Sequence, residues 1–81
     1  MDELAITSVV ARVLDEQLGR KDISPEFRLV EDLAIDSLGM IALAQAMEQA
    51  FAIEIPDEDI DGIVTIQDLV NYLEKRLAGS G

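Results

Sequence analysis

The sequence predicts an all-α domain: a four-helix bundle with three long helices, one short helix and a long first loop. Apolar residues recur at helical spacing in three stretches, and no alternating run is long enough to form a paired strand. At 81 residues the chain has the size of one domain with one core. We assign residues 1–78 to that domain and the terminal Gly-Ser-Gly, residues 79–81, to a flexible tail or a cloning remnant.

The first helix is predicted to run from about Asp2 to Leu18, with Gly19 after it as a C-terminal cap. Its inward stripe consists of Ile6, Val10, Val13, Leu14 and Leu18. A long connection follows, and Ser24-Pro25 within it has the form of an N-cap before a proline, which predicts a short helical turn. The apolar residues expected to attach this connection to the bundle are Phe27, Leu29 and Leu33.

The second helix is predicted from Ser37 to Phe51 and carries two apolar stripes. The stripe assigned to the core consists of Met40, Leu43, Met47 and Ala50. The other begins with Leu38, Ile41 and Gln45 and is expected to be partly exposed beside Ser37, as a docking surface would be. Burial of Leu38 on a second side of the helix is an equally good interpretation of the pattern.

Two more helices complete the prediction. A short third helix is predicted over Asp57 to Gly62. The sequence Thr65-Ile66-Gln67-Asp68 resembles a capping box with Asp in place of Glu, and it opens a last helix that ends at about Leu77. The inward residues of that helix are Ile66, Leu69, Val70, Leu73 and Leu77.

The chain is strongly acidic, with six Lys and Arg residues against 17 Asp and Glu residues and a net charge of −11. No cation lies between Leu29 and Glu74, so we expect neither nucleic-acid binding nor attraction to anionic membranes. The charge either keeps the surface solvated or steers the domain toward basic patches on partners. No apolar run approaches the roughly 20 residues of a membrane span, and the absence of cysteine fits a cytoplasmic location.

Ser37 is the residue at which chemistry is expected, although the chain offers it no base. The sequence contains no His and no Cys, and no Lys lies near Ser37 along the chain. A serine nucleophile needs such activation, so the chain is not expected to be an enzyme. Asp36 is expected to cap the second helix, and the positive end of that helix would favour a phosphodiester at Ser37.

Several segments of the chain resemble the acyl carrier proteins. Asp36-Ser37-Leu38 matches their DSL motif, and Val30-Glu31-Asp32-Leu33 precedes it at the family spacing. Met47 to Phe51 corresponds to the family's acidic stretch that ends in Phe, and Ile55-Pro56-Asp57-Glu58 matches its entry to helix three. The resemblance implies that Ser37, flanked by Asp36 and Leu38, receives a 4′-phosphopantetheine arm from coenzyme A and carries acyl groups on it as thioesters.

The same resemblance implies partners and an acyl cavity. The partners would be a phosphopantetheinyl transferase and then acyl-transferring and ketosynthase-type enzymes with basic patches, from fatty-acid, specialised-lipid or polyketide synthesis. They would visit a monomer at Leu38, Ile41, Gln45 and Glu48. The acyl chain would fold between the second and third helices, and the simpler role of the residues there is ordinary core. The candidates to line this cavity are Met40, Leu43, Met47, Ile55, Ile60 and Ile63.

The second helix departs from the pattern of primary fatty-acid carriers. Gly39 and Ala42 stand where that group usually has acids, and Gln49 stands where an acid is common. Glu48 is the only carboxylate on this helix after Asp36, so we expect a specialised carrier rather than a housekeeping one. Gly39 also weakens the helix by about 1 kcal/mol relative to alanine, which we attribute to close approach of a partner or the arm to the backbone.

Four other possibilities remain open on the sequence. A peptidyl or aminoacyl carrier would share the arm, although such carriers usually have a Gly-Gly run before the serine. A calcium-binding EF-hand loop is also possible, because its first half matches Asp57, Asp59 and Asp61 followed by Gly62. Pro56 argues against such a loop, because it directly precedes the first ligand position, where the entering helix should still be running. These three carboxylates could also form a weak divalent-ion site. A bundle that acts purely as an adaptor is possible only if Ser37 is never modified.

Overall fold

Four helices in the order α1 (Glu3–Leu18), α2 (Ser37–Phe51), α3 (Asp57–Ile60) and α4 (Ile66–Gly79) make up the fold. This computed structural model describes residues 2–79. The all-helical prediction is confirmed, since α1 packs against both α2 and α4 and the described residues contain no strand beyond one isolated bridge. No helix in residues 2–79 is both long enough and apolar enough to cross a membrane.

The helix ends follow the predicted capping signals. The Asp2 carboxylate accepts a hydrogen bond from the Ala5 amide at 2.8 Å, and Gly19 ends α1 in the left-handed conformation with φ of 69°. At α4 the capping box is complete, because the Asp68 carboxylate accepts from the Thr65 amide at 3.1 Å and the Thr65 hydroxyl accepts from the Asp68 amide at 3.0 Å.

The core lies between α1, α2, α4 and the long connection between α1 and α2. Leu29, Leu33 and Ile35 from that connection are buried, and Phe27 packs against the cluster, so the predicted attachment of this segment is confirmed. The buried helix residues include Ile6, Val10, Val13, Leu14, Leu43, Met47, Phe51, Ile66, Leu69, Val70 and Leu73.

Four residues assigned to inward stripes lie further out than predicted. Met40, in the first turn of α2, is only half-buried. Leu18 is exposed because it is the last residue of α1, where the chain turns away at Gly19. Ala50 is exposed because the next inward position on α2 lies four residues after Met47, not three. Phe51 occupies that position and is buried. Leu77, in the last turns of α4, is only half-buried.

One predicted boundary and one predicted helical turn also differ from the structure. Helix α3 ends at Ile60 rather than at Gly62, because the amides of Gly62 and Ile63 bond to carbonyls three residues back and close tight turns. Ser24-Pro25 forms a turn and no helix. The Ser24 hydroxyl donates to the Glu26 carboxylate at 2.7 Å instead of capping free amides.

The long connection is joined to the α3–α4 connection through backbone groups. The Leu29 amide donates to the Val64 carbonyl at 2.9 Å, and the Ile66 amide donates to the Phe27 carbonyl at 3.0 Å. A third bond of 2.9 Å runs from the Gln67 amide to the Pro25 carbonyl. These bonds hold the two irregular segments side by side at the end of the bundle where α2 begins.

Candidate functional site

The segment before α2 is folded so that it delivers Ser37 to the surface. The Arg28 carbonyl accepts hydrogen bonds from the amides of Asp32 and Leu33, which closes a tight turn. Ala34 then adopts a left-handed conformation with φ of 57°, a position that favours glycine and costs on the order of 1 kcal/mol for alanine. The buried Ile35 anchors the chain immediately before the helix.

Ser37 is the first residue of α2, and its side chain is exposed. Its hydroxyl makes no hydrogen bond to any of residues 2–79, so it is available to a modifying enzyme. The neighbouring Asp36 carboxylate accepts from the Gly39 amide at 2.7 Å, which confirms its predicted role as N-cap. The partly positive amides of the first turn of α2 therefore lie beside the Ser37 oxygen.

Gly39 is explained by packing inside the protein. A Cβ at this position would lie 2.8 Å from Cγ2 of the buried Ile35 and 3.1 Å from the capping oxygen of Asp36. The space that a side chain at position 39 would need is therefore taken up by Ile35 and the capping carboxylate of Asp36. This internal cause accounts for glycine here, and the expected approach of a partner or the arm to its backbone stays a prediction.

We expect Gly39→Ala to destabilise the protein by about 1 kcal/mol, although alanine favours helices. The overpacking against Ile35 costs about 1–3 kcal/mol, and the gain in helix propensity offsets only about 1 kcal/mol. Gly62→Ala is the matched control, because its Cβ would meet nothing closer than the Asp59 carbonyl at 3.7 Å. Urea denaturation measures both variants, and a Gly39→Ala protein more stable than the wild type would contradict the packing argument.

An open groove of about 690 Å³ runs from Ser37 toward α3. Its floor is mostly apolar, and its polar wall residues apart from Ser37 are all carboxylates. The residues that line the groove are Val30, Glu31, Ile35, Asp36, Ser37, Met40, Ile41, Asp57, Ile60, Asp61, Ile63 and Val64.

A separate void of about 10 Å³ lies deeper, between α2, α3 and α4, and is at or below the volume that one water molecule needs. All six residues named as acyl-cavity candidates line it. Sequence reasoning missed three further lining residues, Leu29, Ala44 and Leu69. Met40, Ile60 and Ile63 line both the void and the groove, so they form the wall between Ser37 and the interior.

The four residues predicted to bind partners are placed differently from one another. Leu38 and Ile41 are exposed beside Ser37, and Gln45 is exposed further along α2. Glu48 is half-buried, and its carboxylate accepts a hydrogen bond of 2.8 Å from the Ile55 amide. The structure thus gives Glu48 a role in holding the α2–α3 connection, and its contact with partners stays a prediction.

The three aspartates considered for calcium or weak divalent binding do not form a metal site in this structure. Asp57 and Asp59 lie on the helical turn of α3, which replaces the open loop that an EF-hand requires. Among residues 2–79 no group of three or more acidic side chains lies close enough to hold a metal ion. Asp68, which falls at the twelfth position of such a loop counted from Asp57, uses its carboxylate to cap α4.

Tyr72 is a residue that sequence reasoning missed. Its hydroxyl donates to the Asp59 carboxylate at 2.7 Å and accepts from the Arg76 guanidinium at 2.6 Å, which ties α3 to α4. Burial, and then the hydrogen bond to Asp59, raises the pKa of the Tyr72 hydroxyl above 10.0. The sequence did contain a signal for this role, because Tyr72 stands next to Leu73 at the edge of the inward stripe of α4. A tyrosine at such an edge can bury its ring while its hydroxyl forms hydrogen bonds.

Replacing Tyr72 by phenylalanine is expected to cost about 1 kcal/mol of stability at neutral pH through loss of the hydroxyl's hydrogen bonds. Because folding raises its pKa, the folded state holds the proton more tightly. The stabilisation is therefore complete below the unfolded pKa and is lost as pH rises through the folded pKa. Urea midpoints from about pH 8 to about pH 11 should show the difference between wild type and Tyr72→Phe shrinking. A constant difference would mean that the proton on Tyr72 is not involved.

Comparison with known proteins agrees with this arrangement. A family model described as a phosphopantetheine attachment site matches residues 5–73. The acyl carrier protein of Syntrophobacter fumaroxidans (strain DSM 10017 / MPOB) is 41% identical over 80 residues, which cover 96% of this chain and 99% of that protein. The chain therefore belongs to the phosphopantetheine-binding family, as an acyl carrier protein. Members of this group are carriers that bear a covalent 4′-phosphopantetheine and are served by a phosphopantetheinyl transferase and synthesis enzymes.

Proposed function

We propose that Ser37 holds the 4′-phosphopantetheine arm on which this carrier bears its acyl groups. The observation that carries the proposal is the exposed, unbonded Ser37 hydroxyl at the N-terminus of α2, on the rim of an open apolar groove. Backbone amides at the start of α2 would stabilise the phosphodiester, and the groove offers apolar surface to the arm. When bound, the arm supplies a thiol that forms thioesters.

The attachment reaction is a phosphoryl transfer to this serine. The Ser37 oxygen forms a bond to the phosphorus of coenzyme A that bears the pantetheine, and the pyrophosphate bond to that phosphorus breaks. Adenosine 3′,5′-bisphosphate leaves, and the hydroxyl proton passes to a base of the transferase. We assign the base to the transferase because this sequence has no His or Cys and the neighbouring Asp36 carboxylate is engaged in capping α2. We therefore propose that the chain itself catalyses nothing.

Intact mass tests the proposal. The protein is weighed before and after incubation with coenzyme A and a broad-specificity phosphopantetheinyl transferase, and the modified peptide is then located by proteolysis. A gain of one phosphopantetheinyl group on the peptide that contains Ser37 is expected. Modification of another hydroxyl, or no gain by protein that starts unmodified, would overturn the assignment of Ser37.

We further propose that the acyl chain enters the bundle through the wall formed by Met40, Ile60 and Ile63. The void behind this wall has a volume of about 10 Å³, so it must enlarge as a chain enters. We expect helix α3 to yield, because it has four residues, no side-chain hydrogen bond at its N-cap and only the Tyr72–Asp59 side-chain bond to α4 among the described residues. Residues of the void, such as Met47 and Leu43, would then exchange core contacts for contacts with the acyl chain.

We propose a specialised pathway rather than primary fatty-acid synthesis, because α2 presents a nearly neutral surface. If this is right, Ala42→Glu with Gln49→Glu should raise turnover by primary fatty-acid synthase enzymes, since both positions are exposed and an added acid would meet basic partner patches. The matched control is Ser8→Glu with Gln17→Glu, which adds the same charge at exposed positions of α1. Equal rates for wild type and the α2 variant would contradict the proposed cause of specialisation.

The net charge and the lack of cysteine bear on the location and the partners of the carrier. We place it in the cytoplasm as a monomer that visits enzymes with basic patches in turn. The net charge of −11 supports such partners and opposes binding to nucleic acid or anionic membranes. The lack of cysteine is compatible with a reducing compartment.

A further inference from the structure

The two methionines of α2 differ in their access to solvent. The sequence has three methionines, of which Met40 and Met47 lie in the described part of the chain. Met47 is fully buried, whereas Met40 is half-buried and lines the open groove of about 690 Å³. Both side chains line the void behind the groove. A small solute that enters the groove therefore reaches Met40, but it reaches Met47 only if the core opens.

Met40 is also the one oxidisable side chain in the wall between Ser37 and the void. The other two wall residues, Ile60 and Ile63, are saturated hydrocarbons. Oxidation turns the thioether of a methionine into a sulfoxide, which is polar and accepts hydrogen bonds. All residues that line the void are apolar, so none of their side chains could donate a hydrogen bond to the new oxygen. A sulfoxide at position 40 must therefore turn its oxygen toward the groove or leave it unpaired inside.

We propose that Met40 is a site of reversible oxidation by peroxides, and that its sulfoxide weakens the hold of the bundle on the acyl chain. This inference rests on the proposed entry of the acyl chain past Met40, Ile60 and Ile63. In the reaction the sulfur lone pair forms a bond to one peroxide oxygen, and the O–O bond breaks. With hydrogen peroxide, the proton of the transferred oxygen passes to the departing hydroxide, which leaves as water. The sulfur is oxidised, the peroxide is reduced, and methionine sulfoxide reductases reverse the change.

The sulfoxide would act on the entrance to the void and not on the void itself. An acyl chain that enters the bundle gains free energy by leaving water, and this gain depends on apolar surface along its path. A sulfoxide oxygen at Met40 retains water at the entrance or takes up space that the chain needs. Met47 lies behind the wall and stays a thioether, so the void keeps its apolar lining. The expected result is an acyl chain that is more exposed to solvent while its attachment to Ser37 is unchanged.

Peroxide treatment of the unmodified protein tests the site. Hydrogen peroxide is added to the folded full chain, and tandem mass spectrometry of the tryptic peptide over residues 29–75 assigns each added oxygen to Met40 or Met47. We expect Met40 to be oxidised about tenfold faster than Met47, because reaction at Met47 requires opening of the core. In concentrated urea the two rates should agree within about twofold, because both side chains are then solvated. Equal rates in the folded protein would overturn the proposed site.

Urea denaturation of the acylated protein tests the effect. Unmodified protein is oxidised, freed of peroxide and then loaded at Ser37 by a broad-specificity phosphopantetheinyl transferase, so the thiol of the arm is not exposed to the oxidant. Coenzyme A supplies the arm alone, and an acyl-coenzyme A supplies the acylated arm. In protein with intact Met40, the acyl chain should raise the urea midpoint above that of protein with the arm alone. We expect this rise to shrink by about half in the sulfoxide, and a methionine sulfoxide reductase should restore it.

Substitutions at the two methionines separate Met40 from other oxidation. Met40→Leu keeps an apolar side chain of similar volume, so its acyl-dependent rise should survive peroxide treatment. Met40→Gln places a polar amide in the wall without an oxidant and should show the smaller rise of the sulfoxide. Met47→Leu is the matched control and should lose the rise on oxidation as the wild type does. A wild-type rise that survives complete oxidation of Met40, or a Met40→Leu protein that loses it, would overturn the proposed effect.

Failure of this inference is distinguishable from failure of the proposed function. Intact mass shows whether the acylated arm is on Ser37. If the arm is present and the untreated wild type gains no stability from the acyl chain, the proposed entry into the bundle is wrong, and the effect assigned to Met40 is wrong as well. The selective oxidation of Met40 is measured on unmodified protein, so that result does not depend on the arm.

Discussion

Alanine in place of Ser37 is expected to abolish phosphopantetheinylation completely. The substitution removes the one hydroxyl among the residues that line the groove, and no other serine of residues 2–79 lines it. The fold should be retained, because the Ser37 side chain is exposed and the cap of α2 comes from the Asp36 carboxylate. Intact mass after exhaustive incubation with coenzyme A and transferase gives the readout.

Ser8→Ala provides the control for this result. Ser8 is an exposed serine on α1, so its replacement removes a hydroxyl of the same kind at a distance from the groove. This variant should gain one arm at the wild-type rate. If Ser37→Ala still gained mass, the arm would be attached elsewhere, and the geometry at the start of α2 would need another explanation.

Met47→Ala is expected to cost about 3 kcal/mol of folding free energy. Met47 is fully buried and lines the void between α2, α3 and α4, so truncation removes apolar contacts and enlarges the void. A small domain is stabilised by only about 5–15 kcal/mol, so the loss should be large in a urea titration of the unmodified protein.

An attached acyl chain should reverse part of this loss. The enlarged void would accept methylene groups, each of which contributes about 0.8 kcal/mol when buried. Leu73→Ala is the matched control, since Leu73 is equally buried but does not line the void. Acylation should therefore restore stability more to Met47→Ala than to Leu73→Ala, and equal restoration would place the acyl chain outside the bundle.

The helices could be predicted from the sequence because their signals are local. Asp2, Gly19, Asp36 and Thr65 act within one turn of the residues they cap, and the start and end of α2 agree with the predicted Ser37 and Phe51. The six residues named from the family resemblance as acyl-cavity candidates line the void, and their contact with an acyl chain stays a prediction. An inward stripe on α2 and isolated apolar residues around α3 must meet in a bundle this small.

The features that could not be predicted depend on contacts between distant segments. The pattern of Glu48 is that of an exposed acid, and only the path of the α2–α3 connection brings the Ile55 amide to it. Gly39 looks like a weak point in a helix until Ile35 is placed against it. The hydrogen bond from Tyr72 to Asp59 spans 13 positions and has no periodic signal.

The backbone bonds between the two connections determine where the chain tolerates a change of length. The carbonyls of Pro25 and Phe27 and the amide of Leu29 are each paired with the segment from Val64 to Gln67, so an inserted residue there would shift this register. From Lys21 to Ile23, no backbone bond of this kind ties the described chain down, but Ile23 packs against the core. Extra residues between Lys21 and Asp22 would therefore add mainly loop entropy. A fluorescent tag or a circular-permutation site belongs between these two residues.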